Sequence, residues 1–277
     1  MNPNDKQWKE KKLNHYDNKI LFDNNTEHFV MGDWEEPVMK AHAEITCRNG
    51  GHILEVGFGM GISANYIQEQ DIKSHTIIEL NDEVYKKAVE WAKDKPNTKI
   101  VSGDWKTIEL DEKFDAIFFD AYVQDKLFML FPIHILRFCK VGTILTFFNH
   151  LWKRTTFWSE DFFTDEIKFY EIDGKVPNDK QNGYIEEHDT YYLPEWIIKE
   201  DDTEEKYRKC ITMKWNEVQV DILRELNQFK DSFGKDWEEW NLSDLKYRLQ
   251  NNWTFYLVEG GWCFIDWNRK YPYLCNR

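Results

Sequence analysis

The stretch Ile53-Leu54-Glu55-Val56-Gly57-Phe58-Gly59-Met60-Gly61 decides the fold of this chain. An apolar run that ends in three glycines is typical of a buried strand turning sharply into a helix. Since glycine lacks a Cβ atom, the backbone of such a turn can approach a bound molecule closely. A second apolar run, Thr76-Ile77-Ile78, ends at Glu79, whose carboxylate suits two ribose hydroxyls. The two features together predict a nucleoside site.

The spacing of the glycines indicates which nucleoside is bound. The dinucleotide fingerprint is G-x-G-x-x-G, and this chain has Ile62 at the position of the last glycine. Glu55 lies two residues before Gly57, where a carboxylate would compensate an ammonium group and would repel a pyrophosphate. S-adenosylmethionine is therefore favoured over a nicotinamide or flavin dinucleotide. The non-functional alternative is that the glycines only close a strand-to-helix turn.

The composition limits the class of protein. With 277 residues and 42% hydrophobic residues, the chain can form one large α/β domain with an appendage. A net charge of −14 without a basic patch disfavours nucleic acid as a partner. No apolar run reaches the roughly 18 residues of a membrane helix, and the N-terminus is polar, so we expect neither membrane insertion nor export. The five cysteines are scattered without a Cys-x-x-Cys pair, which favours reduced thiols in the cytoplasm and no metal site.

Strand and helix patterns alternate from residue 52 to residue 148. The predicted strands span residues 52–56, 76–79, 99–102, 114–119 and 143–148, and the predicted helices span residues 62–70, 82–92 and 126–139, the last ending at Lys140-Val141-Gly142. Short apolar strands joined by helices form a parallel sheet that is covered on both faces, with ligands at the carboxyl ends of the strands. The fold class is therefore α/β, a doubly wound Rossmann-like sheet.

The chain continues past this pattern into a small α+β appendage. The charged run at residues 199–205 is predicted to be a linker, so the expected domains are residues 1–50, 51–199 and 200–277. Helices are predicted at residues 215–229 and 242–249, and a hairpin at residues 253–258 and 262–267 around Glu259-Gly260-Gly261. The appendage carries no catalytic constellation. Its aromatic residues suit a docking face, a homodimer contact, a cover for the catalytic domain or a structural appendage.

Several independent motifs carry a resemblance to one known family. They are Trp34-Glu35-x-Pro37, the glycine loop, Ile77-Ile78-Glu79-Leu80-Asn81-Asp82, Gly103-x-Trp105, Asp120-x-Tyr122, Leu145-Thr146-x-x-Asn149 and Tyr191-Tyr192-x-Pro194. From about residue 16 to residue 198 the chain resembles guanidinoacetate N-methyltransferases. Generic methyltransferases share the glycine loop and little else.

The resemblance implies methyl transfer from S-adenosylmethionine to a guanidino nitrogen of a small molecule such as guanidinoacetate, as in creatine biosynthesis. It assigns Glu35 and Asp120 to the substrate. A guanidinium has a pKa above ~12 and is a poor nucleophile while protonated. Two carboxylates can hold its planar N–H fork, and Asp120 would accept the proton that the attacking nitrogen sheds. A metal is unnecessary because the sulfonium is already an activated leaving group. The plain alternatives are a solvated Glu35 and an Asp120 that caps a helix.

The loop and the resemblance together assign the remaining contacts. The cofactor residues are Met31, Met39, Glu55, Gly57, Phe58, Gly59, Met60, Gly61, Glu79, Leu80, Asn81, Gly103, Asp104, Trp105 and Asp120. Asp104 and Trp105 are expected to flank the adenine. The substrate residues are Glu35, Asp120, Tyr122, Asn149, His150 and Leu151, the last three standing where the family has Asn-Leu-Thr and receives the substrate carboxylate on its backbone. Tyr16 matches a tyrosine in a segment that folds over the ligands as a lid.

Two other functions stay open at this point. The same acid pair would grip the guanidinium of a protein arginine, or another amine. The chain could also be a non-catalytic module that binds the cofactor and uses its C-terminal region for interactions. The paired acids Glu35 and Asp120 argue against the module, which would have no use for them.

Overall fold

The computed structural model describes residues 8–22, 29–121, 134–148, 167–173, 190–203 and 205, and the backbone of three strands between residues 253 and 274. The chain divides into two compact units, Met1–Glu204 and Glu205–Arg277. The strands of the first unit are β1 (Leu13–His15), β2 (Lys19–Phe22), β3 (Phe29–Gly32), β4 (His52–Val56), β5 (Ser74–Glu79), β6 (Thr98–Ser102), β7 (Phe114–Phe119), β8 (Cys139–Phe147), β9 (Ile167–Asp173) and β10 (Thr190–Ile197). Its described helices are α1 (Glu36–Cys47), α2 (Ile62–Gln68) and α3 (Asp82–Trp91), with 3-10 turns at Asp33–Glu35, Ala92–Asp94 and Leu136–Phe138.

Seven of the described strands form one sheet in the order β6-β5-β4-β7-β8-β10-β9. The five strands from β6 to β8 are parallel, which confirms the predicted doubly wound α/β sheet. The chain runs outward from β4 to β5 and β6, and then returns to place β7 on the other side of β4. This reversal opens a crevice beyond the carboxyl ends of β4 and β7, which is where open α/β sheets bind ligands.

Helix α1 begins where the sequence favours a helix start and packs along an apolar stripe. Pro37 lies in its first turn, where the missing N–H has no intrahelical partner to lose. Val38, Met39, His42, Ala43 and Thr46 are buried at helical spacing. Ala43 contacts a core cluster that includes Ile53 of β4, Ala116 of β7 and Ile144 of β8. The helix therefore lies against the centre of the sheet.

Two antiparallel strands extend the sheet beyond the predicted pattern. β10 runs against both β8 and β9, so β9 points in the same direction as the parallel strands. Tyr191 and Leu193 of β10 are buried in one cluster with Met31, Met39 and Phe118. Alternating polar and apolar residues in residues 167–173 make β9 a half-buried edge strand, and the sequence prediction had no element there.

The prediction for residues 126–142 is wrong at its C-terminal end. Residues 126–133 lie outside the described residues, and the strand β8 begins at Cys139, so Lys140-Val141-Gly142 belongs to a strand and does not stop a helix. The register against β7 shifts between Phe114 and Ala116, and Gly142 takes a φ of 88° at this bulge. Thr143 Oγ1 donates a hydrogen bond to the Phe114 carbonyl, which holds the bulge to β7. A bulge with glycine at positive φ lets the strand continue where a sequence pattern indicates a stop.

The N-terminal strands form a separate antiparallel sheet, in the order β1-β2-β3. Leu13 and Ile20 are buried against Phe58, which follows the first glycine of the loop. The N–H of Leu13 donates to the Glu83 carboxylate at 3.1 Å, and Lys9 pairs with Asp82 at 2.9 Å. This segment is therefore fastened to the start of α3.

In the second unit, β11 (Trp253–Val258) pairs with β12 (Gly261–Asp266) in antiparallel register, and β12 pairs with β13 (Tyr273–Leu274). The predicted hairpin is confirmed, with its second strand one residue earlier than expected. The predicted helices at residues 215–229 and 242–249 lie outside the described residues.

Candidate active site

The glycine loop follows β4 and is built from left-handed backbone. Gly57, Gly59 and Gly61 have φ values of 94°, 53° and 75°, a region that side-chain-bearing residues rarely adopt. A Cβ atom at Gly57 would collide with the carbonyl oxygen of Asp120. The first glycine is thus required both by its φ and by the close approach of the β7 end.

Glu79 ends β5 beside this loop, and its carboxylate binds the loop directly. Glu79 Oε2 accepts the N–H of Phe58 at 2.9 Å, and Oε1 accepts the N–H of Asn81 at 2.7 Å. Burial raises the pKa of Glu79, against backbone hydrogen bonds from residues that include Phe58, Asn81 and Gly59, which lower it. The carboxylate therefore lies at the glycine loop, where the sequence placed the ribose.

Glu55 is a buried residue of β4, two positions before the first glycine of the loop. Its Oε1 accepts a hydrogen bond from Ser63 Oγ, and its Oε2 lies 2.9 Å from His75 Nε2. Glu55 and His75 are both fully buried. Since both carboxylate oxygens face protein groups, direct contact of Glu55 with the cofactor stays a prediction.

The predicted adenine side of the site lies at the end of β6. Asp104 and Trp105 are buried, with exposed fractions of 3% and 5%. The Trp105 ring meets Phe119 edge-on at 4.8 Å and His134 at 5.6 Å, and its carbonyl accepts a hydrogen bond from Arg137. The N–H of Gly103 donates to the Glu79 carbonyl at 3.0 Å, so the two strand ends adjoin.

Glu35 is placed by the turn that precedes α1. It ends the 3-10 turn Asp33–Glu35, is the N-cap residue of α1, and is buried with 6% exposed. Burial raises the pKa of Glu35 well above its ordinary value, the negative charge of Asp120 raises it further, and a hydrogen bond from the Gly32 backbone lowers it. A buried acid at a helix start that has no cationic partner among the described residues indicates a site prepared for a cation.

Asp120 directly follows β7, at the crevice where the strand order reverses. Its residue surface is partly exposed, and the carboxyl group is enclosed enough that burial, together with the charge of Glu55, raises its pKa to about 7. Its N–H donates to the Val56 carbonyl at 2.9 Å, which joins the ends of β7 and β4. Asp120 therefore combines access to the crevice with a pKa near neutrality.

The two acids interact through their charges, because the negative charge of Asp120 raises the pKa of Glu35. Two carboxyl groups in one enclosed space do not both ionise easily. A bound planar cation relieves the repulsion and receives two charge-assisted hydrogen bonds. The arrangement suits a guanidinium or an amine with a proton to lose.

Three side chains that the sequence did not single out for these roles support the site. His42 Nδ1 lies 2.8 Å from Thr146 Oγ1, and the His42 ring stacks on Phe118 at 4.7 Å. Burial lowers the pKa of His42 to about 3, so this ring is neutral. These two contacts tie α1, which begins after Glu35, to β8 and to β7, the strand that Asp120 follows. The sequence signal for this role is a histidine on the otherwise apolar stripe of α1. Ser63 is buried and donates a hydrogen bond to Glu55, and Lys106 is buried and pairs with Asp104.

Other predicted residues take supporting positions. Met31 Sδ lies 3.2 Å from the backbone nitrogen of Met60, and it would collide with a Cβ atom at Gly59. Met39 is fully buried in the core. Asn81 Oδ1 accepts the N–H groups of Glu83 and Val84 and so caps α3. Leu80 follows Glu79, and its backbone hydrogen bond lowers the pKa of Glu79. Tyr16, the predicted lid residue, is exposed.

Four predicted substrate residues lie outside the described residues: Tyr122, Asn149, His150 and Leu151. Within the described ranges, no helix has both the length and the apolar character that crossing a bilayer requires. Across the same part of the chain, no group of three or more His, Cys, Asp or Glu side chains is arranged to hold a metal ion.

A glycine loop at the end of one strand and an acid at the end of the next, beside the point where the strand order reverses, fit a class I S-adenosylmethionine-dependent methyltransferase. The chain belongs to the guanidinoacetate N-methyltransferase family, whose family model matches residues 3–220.

Curated relatives and solved structures show further similarity. Protein arginine N-methyltransferase 2 of Candida glabrata is 32% identical over 154 residues, which are 50% of this chain and 37% of that protein. The protein of the same name from Aspergillus oryzae is 37% identical over 103 residues, 34% of this chain and 25% of that protein. The chain thus spans well under half the length of these relatives. The N-methyltransferase NodS from Bradyrhizobium japonicum WM9 is 12% identical, with a TM-score of 0.47, and the match covers 60% of this chain and 97% of NodS.

Proposed function

We propose that this protein transfers a methyl group from S-adenosylmethionine to a guanidino nitrogen of a small molecule such as guanidinoacetate. Glu35 is the clamp for the guanidinium, and Asp120 is both clamp and general base. The observation that supports this most strongly is the pair itself: two enclosed acids, each with a raised pKa, at the mouth of a nucleoside pocket.

Binding is the first task of the pair. An empty pair holds a proton near neutral pH, since burial raises the pKa of both acids. A guanidinium replaces that proton and offers two N–H groups in one plane, one for each carboxylate. The substrate is then oriented with one nitrogen toward the cofactor pocket, which reduces the entropy that the reaction must lose.

Proton transfer is the second task. When bound, S-adenosylmethionine supplies a methyl group on a sulfonium, which leaves as a neutral thioether. The attacking nitrogen forms the new N–C bond and must lose one proton, which Asp120 accepts on its carboxylate. A pKa of about 7 suits this role, because a base near the working pH is both ionised and basic enough. The glycine loop and Glu79 hold the cofactor ribose at the end of β5.

A methyl-transfer screen tests the proposal. Guanidinoacetate, free arginine, agmatine and an arginine-containing peptide are incubated with the protein and S-adenosylmethionine, and methylated products are measured by mass spectrometry. We expect methylguanidino product from a small guanidino compound, and a fall of about 100-fold or more in kcat/KM for Asp120→Asn. Asp115→Asn, at the other end of β7, is the matched control and leaves kcat/KM near the wild-type value. Full turnover by Asp120→Asn would show that Asp120 is not the base.

Methylation of a protein arginine is the second candidate function. It is favoured by the names of the relatives from Candida glabrata and Aspergillus oryzae. The acid pair would grip a peptide-borne guanidinium in the same way. Product from the arginine peptide, with none from guanidinoacetate or agmatine, would select this candidate.

A non-catalytic cofactor-binding module is the remaining alternative. Calorimetry with S-adenosylmethionine and a product screen separate the cases. Binding without methylation of any of the four acceptors would favour the module, and the absence of binding would overturn the proposal as a whole.

A further inference from the structure

Gly32 is the last residue of β3, directly before the 3-10 turn that carries Glu35. Its φ of −142° and ψ of 159° are extended backbone, which any residue type adopts. A Cβ atom at Gly32 would nevertheless collide with the six-membered ring of Trp34. Glycine is therefore required at this position by the space that the Trp34 ring occupies, and not by the backbone conformation.

The Trp34 ring packs directly on the backbone of Gly32. Three carbon atoms of its six-membered ring lie closest to the position that a Cβ atom would take, and the side chain is half-buried. Tryptophan is large and rigid, with only two side-chain torsions, so it cannot bend away from a collision as a long flexible side chain would. A side chain at position 32 must therefore move the ring, the turn or both.

The Gly32 backbone also binds the side chain of Glu35. Burial raises the pKa of Glu35 most, the charge of Asp120 raises it further, and the hydrogen bond from the Gly32 backbone lowers it. Glu35 is the N-cap residue of α1, but within this described turn and helix its side chain makes no capping hydrogen bond. The carboxylate is thus held by the residue three positions before it and not by the start of the helix.

The residues on either side of Gly32 are fixed to other parts of the protein. The N–H of Asp33 donates to the Asn18 carbonyl at 2.9 Å, which joins the turn to the N-terminal sheet. Met31 Sδ lies 3.2 Å from the backbone nitrogen of Met60 in the glycine loop. Because both neighbours are held, a displacement at Gly32 acts mainly on the turn that carries Glu35.

We propose that Gly32 is a positioning residue for the guanidinium clamp: its N–H holds the Glu35 carboxylate, and its missing Cβ atom makes room for the Trp34 ring that fixes the turn. The inference rests on the proposed function, since it requires Glu35 to bind the substrate. A carboxylate that is already held in place loses less conformational freedom when it binds a planar cation. Gly32 acts through Glu35, so its replacement should weaken binding of the guanidino compound and spare the cofactor.

Kinetics of two single variants and their combination test the inference. KM and kcat are measured for guanidinoacetate, or for whichever of the other three acceptors the wild-type protein methylates. We expect Gly32→Ala to raise KM by about tenfold or more with a smaller change in kcat, and to leave the affinity for S-adenosylhomocysteine within about threefold. Trp34→Leu leaves room for a Cβ atom. The double variant should therefore have a KM several-fold lower than Gly32→Ala alone and within about threefold of Trp34→Leu.

The pH dependence of KM separates a disturbed hydrogen bond from a general weakening of the site. The described charged group that acts on Glu35 is Asp120, and it is present in every variant. The hydrogen bond from Gly32 lowers the pKa of Glu35, so its loss raises that pKa. Only the ionised carboxylate attracts the guanidinium, and we therefore expect the rise of KM on acidification to begin at a higher pH in Gly32→Ala than in the wild-type protein. A KM raised by the same factor at every pH would contradict this role.

Gly142→Ala is the matched control for lost stability. Gly142 has a φ of 88°, and a Cβ atom there would meet nothing within 4 Å, so alanine strains the backbone near the start of β8 without a collision. It should lower Tm and leave KM unchanged.

The outcomes separate the inference from the proposed function. An unchanged KM in Gly32→Ala, or a double variant no better than Gly32→Ala, would overturn the inference while the proposed function stands. If Gly32→Ala does not fold, a folded double variant with the KM of Trp34→Leu supports the inference, and a double variant that also fails to fold overturns it. If the wild-type protein methylates none of the four acceptors, the proposed function fails and the inference fails with it.

Discussion

Replacing Asp120 by asparagine is expected to stabilise the ligand-free protein while it removes activity. The pKa of Asp120 rises from an ordinary value of 3.8 to about 7 on folding, because burial and the charge of Glu55 disfavour its ionised form. A group whose pKa is raised by folding stabilises the folded state at low pH, and this contribution is lost as the pH rises through the folded value. At pH 8 the ionised carboxylate therefore destabilises the folded protein.

The magnitude follows from the change in pKa. At about 1.4 kcal/mol per pKa unit, a rise from 3.8 to about 7 corresponds to about 4 kcal/mol as an upper bound. Asparagine keeps the shape of the side chain without its charge. We expect Asp120→Asn to raise the free energy of unfolding by up to this amount at pH 8, and to raise Tm by on the order of 8 °C. The gain should shrink as the pH falls and vanish near pH 4.

Urea unfolding of both proteins between pH 4 and pH 8 measures this difference. Asp115→Asn on the same strand is the matched control with the opposite sign. Burial raises the pKa of Asp115. The hydrogen bond from the His52 N–H at 2.8 Å and the ion pair with Lys140 at 2.5 Å together lower it by more, so the pKa of Asp115 lies below its ordinary value. Its loss should destabilise the protein above pH 4. If Asp120→Asn is no more stable than the wild-type protein at pH 8, or is less stable as Asp115→Asn is expected to be, then folding does not disfavour the ionised form of Asp120.

Three further substitutions test the cofactor side of the site. Gly57→Ala forces a side chain onto a φ of 94° and against the Asp120 carbonyl, so we expect loss of S-adenosylhomocysteine binding and a fall of several kcal/mol in the free energy of unfolding, measured by calorimetry and urea unfolding. Glu79→Gln places an amide N–H₂ against backbone donors, and should weaken S-adenosylhomocysteine binding by about 10- to 100-fold while Glu112→Gln, an exposed control, leaves it unchanged. Asn81→Ala removes the cap of α3 and the hydrogen bonds from Asn81 Nδ2 to the carbonyls of Trp8 at 3.0 Å and Lys11 at 2.8 Å. We expect it to lower the free energy of unfolding by about 2–3 kcal/mol and to speed proteolysis near residues 8–12. An unchanged cleavage rate would show that these hydrogen bonds do not hold that segment in place.

The local sequence pattern predicted the parallel core because two separate apolar runs each indicate a buried strand. The apolar runs that end at Val56 and Phe119 are followed by Gly57 and Asp120, two residue types that are depleted in strands, and their buried positions match the observed strands within a residue or two. The glycine loop was likewise predictable, because positive φ at three positions requires the residue that appears there.

Pairing between distant segments was not visible in the sequence. The start of β8 at Cys139 depends on its register with β7, and a Lys-Val-Gly run after a helical pattern indicates a helix stop when it is taken alone. The added strands β9 and β10 depend on each other in the same way, since a half-buried edge strand has a weak pattern.

The electrostatics of the site also required the structure. Glu35 lies in a charged run that a sequence cannot distinguish from a solvated surface, and its burial appears only when α1 packs on the sheet. The contacts of Glu55 with Ser63 and His75 likewise appear only in the structure, and its contact with the cofactor stays a prediction.

Proton release on substrate binding distinguishes a protonated acid pair from an ionised one. Guanidinoacetate is titrated at pH 7 into the protein saturated with S-adenosylhomocysteine, in two buffers with different ionisation enthalpies. Because the pKa of Asp120 is about 7 and that of Glu35 is raised, the acid pair must lose a proton to receive the cation, and we predict release of roughly half a proton or more for each guanidinium bound. A binding heat that is the same in both buffers, or the failure of every guanidino compound to bind, would contradict the account.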